Sequence, residues 1–142
     1  MSVQLDVRPT RVEGRSRLAV VGITVVAALA LWALLAPVAG VELEALQGTR
    51  RIHVGVGSIL FASAAMAFAG WGLLAVLERR TLNARKVWTI LAVAACVLSL
   101  GSPLVGGVGL GAKLGLASFH LVVGAAVVLG LRRTALSAAE RC

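Results

Sequence analysis

Charged side chains are missing from four long stretches of this 142-residue chain, which contain 24, 24, 26 and 18 residues. Only 14% of all residues are charged and the mean hydropathy is +0.95, whereas about a quarter of the residues in a soluble domain are charged. A soluble helical fold would need polar residues on the outer face of each helix. The composition therefore excludes a soluble globular domain and indicates that lipid is the solvent of the chain. The uncharged stretches are 18–41, 54–77, 87–112 and 114–131.

Regular alternation of polar and apolar residues is also absent from these stretches. This excludes a transmembrane β-barrel, whose strands alternate over about ten residues. A spanning helix needs roughly 20 apolar residues, and the glycines and proline of segment 101–109 predict a turn that shortens the third stretch. We predict an all-α, integral membrane four-helix bundle with a basic tail, one transmembrane domain and a C-terminal tail. The predicted limits are 1–17, 18–133 and 134–142, with helices at about 18–40, 54–77, 87–104 and 110–131.

Acidic residues are scarce: six Asp and Glu stand against 14 Lys and Arg, for a net charge of +8. In a soluble protein this excess would suggest nucleic acid, but in a membrane protein Lys and Arg collect on the cytoplasmic side. All but three of them lie in the N-terminal tail, the loop around 79–86 and the C-terminal tail. We expect an up-down-up-down protein of the cell membrane with both termini cytoplasmic, a lipid bilayer as partner and no nucleic acid; the reversed topology is the alternative. The three exceptions are Arg50, Arg51 and Lys113.

The first uncharged stretch has an alternative interpretation as a secretory signal peptide, because it follows an Arg-containing tail and ends in Ala36-Pro37-Val38-Ala39-Gly40. Its apolar part is longer than the roughly 7 to 15 residues of such signals. Cleavage after Ala39 would also place Pro37 where a small residue is preferred. A spanning helix is the favoured interpretation.

Small residues follow one line along the second helix, at alternating spacings of three and four. Helices in lipid associate through close backbone approach across small residues, so we predict that this ridge packs at the centre of the bundle or at a subunit interface. The partner would be a second copy or a larger membrane protein. The ridge comprises Gly55, Ser58, Ala62, Ala65, Ala69 and Gly72.

Catalytic signatures are absent as well: the chain has no nucleophile elbow, no HExxH motif, no carboxylate pair and no phosphate-binding loop outside the membrane segments. We therefore expect no enzyme and no catalytic residues. Proton-coupled exporters with four spans normally need a carboxylate inside the membrane, and none lies within the predicted spans. The favoured function is that of a structural or accessory membrane subunit.

His120 is the ionisable side chain that lies deepest in a predicted helix apart from the thiol of Cys96, so it is the main candidate for a polar membrane site. Ser99 and Ser102 of the third helix are expected at a similar depth. His120 either donates a hydrogen bond to one of these serines or serves a ligand or proton. The runner-up function is accordingly a small transporter or channel-like protein with an outer-leaflet cavity lined by these three residues.

His53 is the second histidine, and it precedes the second helix at the predicted outer surface. Together with His120 it raises bis-His haem ligation, which makes a haem or redox subunit the third alternative. His53 is shallower and no further histidine pair exists, so we expect no cofactor; metal-ligand spacing is also absent. Alternating residues at 41–44 and a turn at 47–49 predict a small ordered cap in the outer loop.

Two tryptophans, Trp71 and Trp88, lie one to two turns from the loop around 79–86 and are expected to anchor their helices at the membrane interface. The surrounding runs AGWGLLAVLERRT (69–81) and ARKVWT (84–89), then SLGSPL (99–104) and HL (120–121), resemble a family of small uncharacterised four-span membrane proteins from actinobacteria. The resemblance covers about 18–133. It implies four spans as one unit and no known activity.

Overall fold

A computed structural model of the chain describes residues 10–135, with side chains from residue 14 onward. Within this part, four helices are long and apolar enough to cross a membrane: Gly14–Val38, Val56–Arg80, Ala84–Gly106 and Gly109–Thr134. The predicted all-α membrane class is confirmed at this level. The elements are α1 (Thr10–Ala33), which continues as a π-helical turn (Leu34–Val38), β1 (Glu44–Gln47), β2 (Arg50–His53), α2 (Val56–Arg80), α3 (Ala84–Ser99), α4 (Gly101–Gly106) and α5 (Gly109–Thr134).

The third span passes through the glycine- and proline-containing segment that the sequence assigns to a turn. Leu100 separates α3 from α4 but keeps helical dihedral angles (φ −64°, ψ −22°). Pro103 lies in the first turn of α4, where its missing N–H is tolerated because the first N–H groups of a helix have no intrahelical acceptor. The chain therefore stays helical to Gly106, and the turn is confined to Gly107 and Val108.

The helices pack around α5, which contacts α1, α2, α3 and α4, while α1 also packs along α2. Three glycines allow this approach. A Cβ atom on Gly130 would lie 2.6 Å from Val20, and one on Gly70 would lie 2.9 Å from Val127. Gly124 faces the thiol of Cys96 at closer range than either. No other residue fits at these positions without displacing its neighbour.

The predicted ridge of the second helix is not packed against the rest of the described segment, residues 10–135. Gly55 precedes α2, and the other five ridge residues are exposed. The buried residues of α2 are Ile59, Ser63, Ala67 and Leu74, which lie about 145° around the helix from the ridge at 3.6 residues per turn. The reason is that α2 carries small residues on two faces, and spacing alone does not tell which one faces the chain.

Trp88 is a core residue, so its predicted role as an interfacial anchor is wrong. It is 1% exposed and packs with Leu74 and Leu131. Its indole Nε1 donates a hydrogen bond to the carbonyl oxygen of Gly70 at 3.1 Å, which joins α3 to α2. Trp71 is half-buried and stacks on Phe68.

The predicted cap between the first two spans is a β-hairpin in which β1 and β2 pair antiparallel, from Glu44 opposite His53 to Gln47 opposite Arg50. The residue before it, Leu43, is fully buried against Ala28, Ile59 and Phe119. The hairpin also holds the 107–108 turn, because the N–H of Val108 donates to the carbonyl oxygen of Glu44 at 3.1 Å. We call this side of the molecule the hairpin end.

Candidate functional site

A cavity of about 460 Å³ lies between α2, α3 and α5, and we call it the α2–α3 groove. It exists because α3 is held to α2 at the Trp88–Gly70 contact and to α5 at the Cys96–Gly124 contact, while the rest of the α2–α3 seam stays apart. The groove is partly open, and the described residues that line it are mostly apolar and all uncharged. Its volume lies in the range typical of small-molecule sites, ~300–1,000 Å³.

His120 lines this groove and is half-buried. Its Nδ1 lies 2.8 Å from the carbonyl oxygen of Leu116, one turn earlier in α5. Ser99 also lines the groove, but its hydroxyl donates to the carbonyl oxygen of Cys96 at 2.7 Å. Within residues 10–135, the expected hydrogen bond from His120 to a serine of the third span is therefore not formed.

The other predicted site residues lie elsewhere. Ser102 is exposed and does not line the groove. His53 is exposed at the end of β2, opposite Glu44, and it does not line the groove that His120 lines, so this groove does not bring the two histidines together. In the described part of the chain, no group of three or more His, Cys, Asp or Glu side chains could hold a metal ion.

The ridge of α2 forms one rim of the groove. Ser58, Ala62 and Ala69 line it, whereas Ala65 and Gly72 lie outside it on the exposed surface. The rim therefore presents small side chains both to the groove and to whatever covers the outer face of α2.

A second cluster of polar groups lies at the opposite end from the hairpin. It was not predicted from the sequence. Arg17 is only 4% exposed; its Nη2 donates to Glu78 Oε1 at 2.7 Å, to Glu78 Oε2 at 2.9 Å and to the carbonyl oxygen of Thr134 at 3.3 Å. Arg85 Nε donates to the carbonyl oxygen of Ala135 at 3.1 Å. The two arginines thus bind the carbonyl groups that end α5. We call this side the Arg17 end.

One feature of the sequence, the position of Glu78, predicts part of the Arg17 cluster. Glu78 is the sole acidic residue in the sequence between Glu44 and Glu140, and it stands at the end of a span among basic residues. A lone acid in such a place is expected to pair with a basic residue brought near by the fold. The sequence does not say which of the many arginines that residue is.

The four long apolar helices define a multi-span integral membrane protein. Within that class, the chain belongs to a family of unknown function (DUF6069), whose sequence profile matches residues 8–137. The predicted resemblance to an uncharacterised family is confirmed at this level. No curated protein and no solved structure matches the chain, so no residue role is transferred from a relative.

Proposed function

We propose that the chain is a non-enzymatic accessory subunit of the cell membrane that associates with a second copy of itself, or with a larger membrane protein, through the ridge of α2. The observation that carries the proposal is the position of the ridge. Five small residues in regular spacing are exposed on α2, while the close helix–helix contacts of the described segment use Gly70, Gly124 and Gly130 instead. In lipid, such an unused small face allows another helix backbone to approach closely.

The proposed orientation is up-down-up-down with both termini in the cytoplasm. Hydrogen bonds at the Arg17 end support it, since they join the start of α1 to the ends of α2 and α5 and the start of α3 to the end of α5. The Arg17 end also carries most of the exposed positive charge, which favours the cytoplasmic side. The exposed basic residues there are Arg15, Arg79, Arg80, Lys86, Arg132 and Arg133.

Cysteine cross-linking in native membranes tests the association. Ala65 belongs to the ridge but lies outside the groove, and Ala94 is an alanine on α3 that is also exposed and outside the groove. In a chain without its native cysteines, Ala65→Cys is expected to cross-link to a dimer or to one larger protein, and Ala94→Cys is expected to remain uncross-linked. Equal behaviour of the two variants would contradict the ridge as an interface.

Transport is the second candidate function, and the α2–α3 groove supports it because His120 and Ser99 line one cavity. No charged side chain of the described part lines that cavity, which disfavours a charged substrate. Flux of an uncharged solute into proteoliposomes, compared between the unmodified chain and a groove-filling Ala95→Leu variant, tests this candidate. A flux unchanged by Ala95→Leu would eliminate the groove as its route.

A further inference from the structure

The α2–α3 groove contains a hydrogen-bond acceptor that no donor among residues 10–135 uses. Nδ1 of His120 lies 2.8 Å from the carbonyl oxygen of Leu116, and a carbonyl oxygen only accepts, so Nδ1 carries a proton. In the neutral ring, Nε2 then holds a lone pair. No donor among residues 10–135 bonds to Nε2, and Nε2 is not fully buried. It is therefore accessible from outside the protein.

Two hydroxyl groups of the groove are acceptors for the same reason. Ser63 donates its proton to the carbonyl oxygen of Ile59 at 2.7 Å, and Ser99 donates to that of Cys96 at 2.7 Å. Each hydroxyl has one proton to give, so its oxygen remains able only to accept a further bond. Both serines line the groove with His120. The groove thus offers three acceptors to an incoming molecule, and Ser58 at the rim adds a hydroxyl group that can donate or accept.

The shape and charge of the groove restrict that molecule further. On α5 the lining extends from Leu116 to Val128, a distance of about 18 Å at 1.5 Å per residue. The cavity is therefore elongated along the helices, as a hydrocarbon chain in a bilayer would be. None of the described lining residues is charged, so a charged headgroup would find no partner there.

We propose that the α2–α3 groove binds a neutral, chain-like lipid with a hydroxyl group that donates to Nε2 of His120. Long-chain alcohols and quinols share this chemistry. A transmembrane helix fits less well, because an apolar helix face would bury Nε2 without pairing it. The site meets the proposed association surface along the rim, at Ser58, Ala62 and Ala69, whereas Ala65 and Gly72 of the ridge lie outside the groove.

Trp88 lines the groove and provides the signal for a binding experiment. The full chain with Trp32→Phe and Trp71→Phe is reconstituted in lipid nanodiscs and titrated with a long-chain alcohol brominated in mid-chain, because bromine quenches indole fluorescence on contact. The matched probe is the methyl ether of that alcohol, which has no donor. We expect saturable quenching by the alcohol and roughly three- to tenfold weaker binding of the ether, the effect of one hydrogen bond. A brominated quinol and its dimethyl ether, used as a second pair, distinguish the two sources.

Variants at His120 and Ala95, with Ala94 as the control position, test the residues of the groove. His120→Leu removes the acceptor, so the alcohol should bind as weakly as the ether; His120→Gln places an amide oxygen near Nε2 and should retain most of the affinity. Ala95→Leu fills the groove and should abolish quenching, while Ala94→Leu, also exposed on α3 but outside the lining, should not.

The proposal is overturned if alcohol and ether quench Trp88 equally, if neither quenches it, or if Ala95→Leu leaves quenching unchanged. Should His120→Leu fail to fold, the comparison of alcohol with ether on the chain that retains His120 decides the question. Failure of this experiment leaves the ridge cross-linking result unaffected, because Ala65 does not line the groove.

Discussion

Arg17 and Glu78, 61 positions apart in the sequence, form a buried ion pair that joins the first helix to the second, with side chains only 5% and 12% exposed. A third partner, the carbonyl oxygen of Thr134, brings in the end of α5. Arg17 Nε is buried and has no hydrogen-bond partner within residues 10–135. The pair is therefore held in place by the fold around it, and loss of the Glu78 carboxylate would remove the acidic partner of the buried Arg17 side chain.

Removal of one partner of this pair should destabilise the protein strongly. Arg17→Gln or Glu78→Gln is expected to cost about 3–5 kcal/mol, because each change removes the bonds that join α1 to α2, and Glu78→Gln also takes the carboxylate from the buried guanidinium of Arg17. Thermal unfolding in detergent, followed by circular dichroism, measures the loss. Arg79→Gln is the matched control, because Arg79 is exposed at the same end of the molecule. Equal melting temperatures for all three variants would show that the pair contributes nothing.

The contact between Gly124 and Cys96 predicts a second sensitive position. Gly124→Ala places a methyl group against the thiol, and overpacking of this kind costs about 1–3 kcal/mol. Cys96→Gly should recover most of the loss in the double variant by removing the obstructing side chain. The control is Gly72→Ala, where an added Cβ meets nothing within 4 Å and Ala should stabilise the helix by about 0.5–1 kcal/mol. A loss for Gly124→Ala that Cys96→Gly does not reduce would mean that another contact is responsible.

The spans were predictable because a helix that crosses a bilayer must be apolar along its whole length. The length of an uncharged stretch in the sequence shows directly whether this condition is met. The face that each helix turns toward the rest of the chain was not predictable. The buried face of α2 carries small residues, as the ridge does, beside Ile59 and Leu74. Ala65 and Ala67 therefore look alike in sequence although one is exposed and the other fully buried. Which face is used depends on the partners that the chain supplies, and spacing within one helix does not contain that information.

The candidate site was predicted in part for a related reason. An isolated histidine in a span stands out by chemistry, and the depth of Ser99 followed from counting along the helix. The structure places both residues on the groove and excludes Ser102 from its lining. Their bonds to backbone carbonyl groups of their own helices were not predictable, because such bonds compete with interhelical ones at similar energy.

The burial of Leu43 predicts that it fastens the hairpin to the helices. Leu43→Ala should cost about 2–5 kcal/mol, as is usual for a buried leucine. It should also raise hydrogen exchange at the N–H groups of Val54 and Val108, which bond to the carbonyl oxygens of Leu43 and Glu44. Leu46→Ala is the control, because Leu46 is 47% exposed. Unchanged exchange at both amides in Leu43→Ala would show that the hairpin is held by its backbone bonds alone.

The proposed orientation predicts opposite labelling of two loops. In a chain with Cys96→Ala and Cys142→Ser, a membrane-impermeant maleimide should label Thr49→Cys in intact cells and Leu82→Cys only after permeabilisation. Both positions are exposed and lie between elements, so both thiols should be reachable from water. The physical reason is the excess of Lys and Arg at the Arg17 end, which retains that end on the cytoplasmic side. The reverse pattern would place the hairpin in the cytoplasm, and the ridge, the groove and the ion pair would keep their geometry in either case.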